Sequence, residues 1–312
     1  MPMTNTNYVI TPEQTGMVID FKNRENIADQ VMPIKKLLSK SSSFKYAERN
    51  LADGFTVPES MIGRASVPNQ ITTNVDGKGG VCVDYALTRF IPQQDIDESE
   101  GQVGNLTTDA LAEIMDNVLL NREKRVAAIV QNKNNYLTNH VVTVGADDKF
   151  SSDKSDPLEY LLAMLDKAIV RPNRMIIGQR AWTQLRLHPV IVQAMHRNAG
   201  PSGVATRQVV AELLEINEVI VGRSLINANK KGEQLKLEPC WGDNVAFHYY
   251  EEIANTSRGL AWGMTFQSGD RVATTTWTDH LGLKGGYEVK AGASWAETVT
   301  APGAGMLLIG VV

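Results

Sequence analysis

Few residue groups in this 312-residue chain have the types and spacing that chemistry requires. Gly77-Lys78-Gly79-Gly80 sets a lysine among glycines, as a phosphate-cradling loop does. The upstream glycine spacing and the Ser/Thr after the lysine are missing, so a hairpin turn is expected instead. Asp95, Asp97 and Ser99 match the opening of a calcium loop. The sixth position is Glu100 and the twelfth Leu106, where a glycine and a bidentate glutamate are needed. A solvated acidic segment is expected there. The histidines at 140, 188, 196, 248 and 280 form no His-x-x-x-His pair and have no cysteine at ligand spacing. His188 and His196 lie around Pro189 and read as packing and helix-end residues. Gly200-Pro201-Ser202-Gly203 does not bracket its serine as a nucleophile elbow does and reads as a loop. No catalytic residue, metal or cofactor is expected.

The bulk numbers narrow the class. Hydrophobic residues make up 43% and charged residues 21%, ordinary for a folded chain and against long disorder. With 31 basic and 35 acidic residues the formal charge is −4, without the basic excess of a sequence-specific DNA binder. Cys82 and Cys240 are no disulfide framework and read as small buried hydrophobes. The opening M-P-M-T-N-T-N-Y lacks the basic-then-apolar order of a signal peptide, and G-M-L-L-I-G-V-V (305–312) is too short to span a bilayer.

The elements follow from periodicity. Residues 1–36 read as an extended arm with one helical turn near Ile27–Ile34. Residues 37–78 are broken everywhere by Ser, Gly, Pro and Asn, so no useful helix fits and a reaching two-stranded excursion is expected. Val81–Ile91 reads as its returning strand. A helix starts at Thr107 or Thr108, with Leu111, Ile114, Met115, Val118, Leu119, Val126, Ile129 and Val130 on its apolar face and Glu113, Asn117, Asn121 and Lys124 opposite. About 25 residues make a rod of roughly 37 Å. Asp156-Pro157 opens a second helix, Met175–Gly178 is a short buried strand, and Ala181–Leu187, Val190–His196 and Thr206–Leu214 are further helices. Glu218–Val221 and Phe247–Tyr250 are strands, with a turn at Lys230-Lys231-Gly232. From Ala261 onward the pattern is all strand: Met264–Phe266, Arg271–Trp277, Tyr287–Lys290 and Ser294–Thr300.

The order of these segments resembles the major capsid proteins of tailed bacteriophages, the Hong Kong 97-type shell fold. The resemblance rests on V-C-V-D-Y-A-L-T-R-F-I-P (81–92), the long helix with N-R-E-K-R-V-A (121–127), D-P-L-E-Y-L-L-A-M-L-D-K-A-I (156–169) and P-N-R-M-I-I-G-Q-R-A-W-T-Q-L-R-L-H-P-V-I (172–191). It covers roughly residues 80–312, with the first 80 alike in character more than in letters. It implies an α+β fold with a spine helix, an N-terminal arm (1–36), an E-loop with its returning strand (37–92), a peripheral domain (93–156 and 260–300, spine helix 107–131) and an axial domain (157–259 and 301–312).

The function so implied is assembly into the hexamers and pentamers of an icosahedral virion shell around double-stranded DNA, built in the host bacterial cytoplasm. The partners are other copies of the chain, a separate scaffolding protein, a portal, a decoration protein and, non-specifically, the packaged DNA; no membrane is involved. An encapsulin-type compartment and a cytosolic enzyme with an unrecognised site are the other readings. Expected interface residues are Phe44, Tyr46, Phe55, Val57, Met61 and Ile62, which the loop cannot cover itself. Basic Lys35 and Lys36 are expected to meet acidic Asp95, Asp97 and Glu98 between subunits.

Overall fold

The structure, a computed structural model, describes residues 25–38, 41–49, 55, 57, 59–64, 66–70, 75–99, 106–195, 203–229, 233–255 and 259–312. The expectations for residues 1–24, Glu100, His196, Gly200-Pro201-Ser202 and Lys230-Lys231-Gly232 lie outside the described residues.

Apolar residues at the helical period decide the central packing. After the short helix α1 (Ala28–Val31), strands β1 (Ile34–Lys36), β2 (Ser43–Arg49), β3 (Val75–Val81) and β4 (Val83–Pro92), and helix α2 (Gln93–Ser99), comes the long helix α3 (Leu106–Val130). It begins one residue before the expected start, which makes Thr107 and Thr108 part of its first turn; helix ends shift by a residue where the apolar period runs on. Leu111, Ile114, Met115, Val118 and Leu119 are buried against Ala273, Val289, Ala291 and Trp295.

Those partners lie on two long strands, β11 (Gly263–Thr278) and β12 (Gly286–Val299). The sequence pattern suggests four short strands here, and the structure joins them into two. The gap at 268–272 is a register irregularity inside one strand, with Gly269 at φ +68° taking a backbone conformation that side chains disfavour. The four-stranded sheet runs β1-β11-β12-β4, with β1 parallel to β11 and the other pairs antiparallel.

The middle of the chain alternates. Strand β5 (Val141–Thr143), helix α4 (Pro157–Asp166), strand β6 (Arg174–Gly178), helices α5 (Gln179–Leu187), α6 (Pro189–Met195) and α7 (Arg207–Leu213), and strand β7 (Glu218–Gly222) follow in order. Then come β8 (Leu225–Asn227), β9 (Leu237–Pro239), β10 (Val245–His248) and, last in the chain, β13 (Gly305–Ile309). A mixed sheet of order β5-β13-β10-β6-β7 results, its strands nearly unbroken apolar runs because both faces are covered.

Trp182, Leu161, Leu165 and Val210 of the helices form one core with Met175, Phe247 and Leu308 of the strands. Local chemistry agrees with this packing. The Asp156 side chain accepts from Glu159 N at 3.0 Å, and Thr206 Oγ1 accepts from Val209 N at 3.4 Å. His188 marks the break between α5 and α6, its Nδ1 accepting from Val190 N at 3.3 Å, so its expected helix-end role holds.

The turn expected at Gly77-Lys78-Gly79-Gly80 is absent, for these residues form the middle of β3. They pair antiparallel with β2 in a continuous register from Ser43↔Val81 to Arg49↔Val75. The Phe44 ring lies over Gly80, where an added Cβ would meet its atoms at 2.5 Å. An aromatic ring over a bare glycine supplies the cross-strand contact that the glycine lacks.

Candidate assembly surface

Phe44 and Tyr46, expected at the interface, already have partial cover within their own chain. Both are half-buried against Phe266 of β11, with ring centroids 4.5 and 6.0 Å away. The ribbon is therefore fastened at its root to its own sheet. Farther out the picture reverses. Phe55, Val57, Met61, Ile62 and Val67 are all exposed, Val57 at 92% and Met61 at 86%. A monomer leaves this apolar set in water, at a cost of roughly 1.5–3 kcal/mol for each side chain that a neighbour could cover.

The four-stranded sheet offers surfaces of matching character. Strand β4 is an outer strand of it, with Val83 and Leu87 exposed. On the sheet face away from the long helix, Asp84, Asp270, Val272, Lys290 and Ser294 line an open groove of about 460 Å³. At the far end of the β11–β12 hairpin, Trp277, Leu281 and Leu283 are exposed, Leu283 fully.

Of the predicted charged residues, Lys35, Lys36, Asp97 and Glu98 have partners within the chain. Lys36 is ion-paired with Asp270, and Lys35 donates to Glu252 O at 3.0 Å. Asp95, Asp97 and Glu98 lie exposed on α2, so the solvated acidic segment is a helix. Gln93 and Gln94 reach one turn ahead to Asp97 and Glu98, at 2.6 and 2.9 Å, and hold it so. Lys284 of the β11–β12 turn stands 3.7 Å from Asp97. Within one chain Lys35 and Lys36 pair elsewhere than with these acids; the expected contact is one between chains.

Sequence reasoning missed the polar junction at the middle of the long helix. Arg122 and Glu123 are fully buried. Glu123 accepts from Ile27 N at 3.0 Å, Ala28 N at 2.7 Å and Trp241 Nε1 at 2.5 Å, so its carboxylate sits on the buried amides at the start of α1, which have no partner within the helix. Arg122 pairs with Asp29 and donates to Met32 O and Thr265 Oγ1, both at 3.0 Å. The junction locks residues 27–32 to the helix and sets β1 beside β11. A signal existed: Arg122 falls four residues after Val118 and four before Val126, on the apolar stripe itself.

Burial governs the titration of the two cysteines and of His248. Burial pushes the Cys240 thiol up to about 11 and raises that of Cys82, so neither is a thiolate near neutrality. His248 stacks on Trp262 at 3.8 Å and shares a hydrogen bond with the Tyr136 hydroxyl at 2.9 Å. Burial, and then the nearby Arg174 charge, push its pKa down to about 3. Among the described residues no group of three or more His, Cys, Asp or Glu could hold a metal, and no helix is long and apolar enough to cross a membrane.

No protein-family model matches the chain. A curated relative does: the major capsid protein of Pseudomonas phage JBD67 is 35% identical over 303 residues, 97% of each chain. The chain belongs to the phage major capsid protein family. Its fold recurs in a phage-related protein of Bordetella bronchiseptica RB50, with a TM-score of 0.74 at 17% identity over 97% of this chain and 98% of that one. It recurs again in the capsid of cyanophage P-SCSP1u, with a TM-score of 0.60 at 11% identity over 99% and 92%. At those identities the two structures show the α+β capsid fold alone. The phage kinship makes this capsid protein a phage shell protein rather than an encapsulin.

Proposed function

We propose that this capsid protein closes, as hexamers and pentamers of identical chains, into an icosahedral shell around phage double-stranded DNA, and that it assembles rather than catalyses. The observation that carries the reading is the apolar set at Phe55, Val57, Met61, Ile62 and Val67, exposed on a ribbon whose root is tied down at Phe44 and Tyr46. Such a loop is covered only by another copy. Its natural seat is the exposed strand β4 and the adjoining groove of a neighbour, because one heterologous contact repeated about an axis closes a ring.

In this reading the long helix with the four-stranded sheet forms the peripheral domain, and the five-stranded sheet with α4–α7 the axial one. Residues 37–92 are the reaching loop with its returning strand, whose β4 joins the four-stranded sheet, and 1–36 the arm. Separate scaffolding, portal and decoration proteins, and assembly in the host cytoplasm, belong to the same reading. The virion shell is then where the protein acts.

The test is the double variant Val57→Asp, Met61→Asp. Both side chains are exposed in the single chain, so the subunit should keep its far-UV circular dichroism while particle formation, followed by sedimentation, falls to background. Particles at the wild-type yield would remove the loop from the assembly contact.

A further inference from the structure

The chain is acidic overall, yet three arginines gather at one end of the five-stranded sheet. Helix α5 presents Gln179, Thr183 and Arg186 at four- and three-residue spacing, hence on one face. Two loops are tied to that face. Ala205 N donates to Arg186 O at 3.0 Å, which sets Arg207 near the end of α5. Arg223, one residue past β7, donates its Nε to Gln179 Oε1 at 3.0 Å, and Gln179 in turn bonds Thr183 Oγ1 at 3.2 Å. Arg207 and Arg223 are exposed and Arg186 half-buried.

Among the described residues none of the three is ion-paired, and the connecting segment 196–202 contains no Asp or Glu. Arg180, one turn away, is already matched to Asp243 at 3.0 Å. Arg186 Nε is buried without a partner. The charges act on one another: burial and then the Arg223 and Arg186 charges lower the Arg207 pKa from its ordinary value. Three guanidiniums held together without a carboxylate repel, and a bound polyanion relieves that repulsion.

We propose that Arg186, Arg207 and Arg223, with the Gln179–Thr183 face of α5 between them, form a phosphate-binding strip whose ligand is the backbone of the enclosed nucleic acid. The forked, permanently charged guanidinium suits phosphate oxygens. An open strip of exposed arginines suits a linear polyanion better than a small enclosed anion. The source of the phosphate rests on the shell reading above; the strip itself does not.

The experiment uses the full-length unassembled chain, the variant Arg186→Gln/Arg207→Gln/Arg223→Gln, the double variant Arg207→Gln/Arg223→Gln, and Arg180→Gln as a control. Anisotropy of a labelled 20-base-pair duplex is measured from low to moderate salt, and the melting temperature is followed with inorganic phosphate. The triple variant should bind the duplex roughly tenfold more weakly, with a salt slope shallower by about 0.9 for each phosphate no longer neutralised. Arg180→Gln should change both far less. The double variant, altered only at exposed side chains, keeps the test decisive if the triple one unfolds.

A phosphate-induced rise in melting temperature, abolished in the variants, supports the strip. Such a rise without duplex binding would overturn nucleic acid as the source. Unchanged duplex binding and melting in the variants would overturn the proposal outright. So would failure of assembly with no phosphate effect, which would make the strip a carboxylate contact between copies. If the wild-type chain binds phosphate at the strip but never forms particles, the shell reading fails and the strip stands.

Discussion

Glu123 is a carboxylate without exposed surface, and three nitrogen donors from two distant segments converge on it. Hydrogen bonds to a charged acceptor contribute about 1.5–3 kcal/mol each, so Glu123→Gln, which turns one acceptor into a donor facing donors, should cost about 2–4 kcal/mol. Urea unfolding of the unassembled chain measures it, and a loss below about 0.5 kcal/mol would make the junction incidental. His248 acts at the same scale. Its pKa is lower in the fold than in the unfolded chain, so the unfolded state takes up the proton first. Stability should therefore be complete above pH 6.5 and fall by about 1.4 kcal/mol per unit as pH drops towards 3. His248→Gln should flatten that acid limb. The residue types at both sites are plain in the sequence. What hides them is partnership: the donors to Glu123 lie about a hundred residues away on either side, and no local spacing records that.

At the level of elements, the long helix was legible because its apolar stripe follows a single period; residues 111–119 of that stripe pack on β11 and β12, and Val126 and Val130 pack in a second cluster with Val31, Ile176 and Trp241. Val118→Asp should set an unpaired charge in that core and abolish soluble, assembly-competent protein. Wild-type yield of soluble protein would show the face to be wrong. Strands were harder to read, for a physical reason. A glycine ends a strand only when nothing else holds the pairing. Across Gly77–Gly80 the partner strand does hold it, and β3 stays extended under Phe44; at Gly269 the ladder breaks and resumes at Val272, so β11 runs on through an irregularity. Alternation along one strand does not reveal a register that its neighbour enforces. The junction of residues 27–32 with the helix escaped for the same reason, since a parallel pairing such as β1 with β11 leaves no hairpin signal.

Across the whole molecule, part of the candidate assembly surface was legible as exposed apolar residues. The turn-rich composition of residues 37–78 announced a reaching segment, and the apolar residues of its outer part are indeed uncovered in the single chain. The composition did not tell the loop's root from its outer part, because Phe44 and Tyr46 find cover only through the strand pairing that brings them to Phe266. The charged residues rank lower. Lys36 and Asp97 already have neighbours in their own chain, and exposed pairs contribute about 0–1 kcal/mol each, so the apolar loop residues should dominate. Reversing charge at Asp95, Asp97 and Glu98 together should then slow particle formation severalfold at low salt and little at high salt, without unfolding the chain. The central claim, that this chain closes into a shell through its loop, is tested most directly by cryo-electron microscopy of the full-length protein expressed in bacteria. The prediction is closed particles in which Phe55, Val57, Met61 and Ile62 of each chain are buried on a neighbouring chain. Monodisperse monomers, or particles in which those residues fold back onto their own subunit, would contradict it.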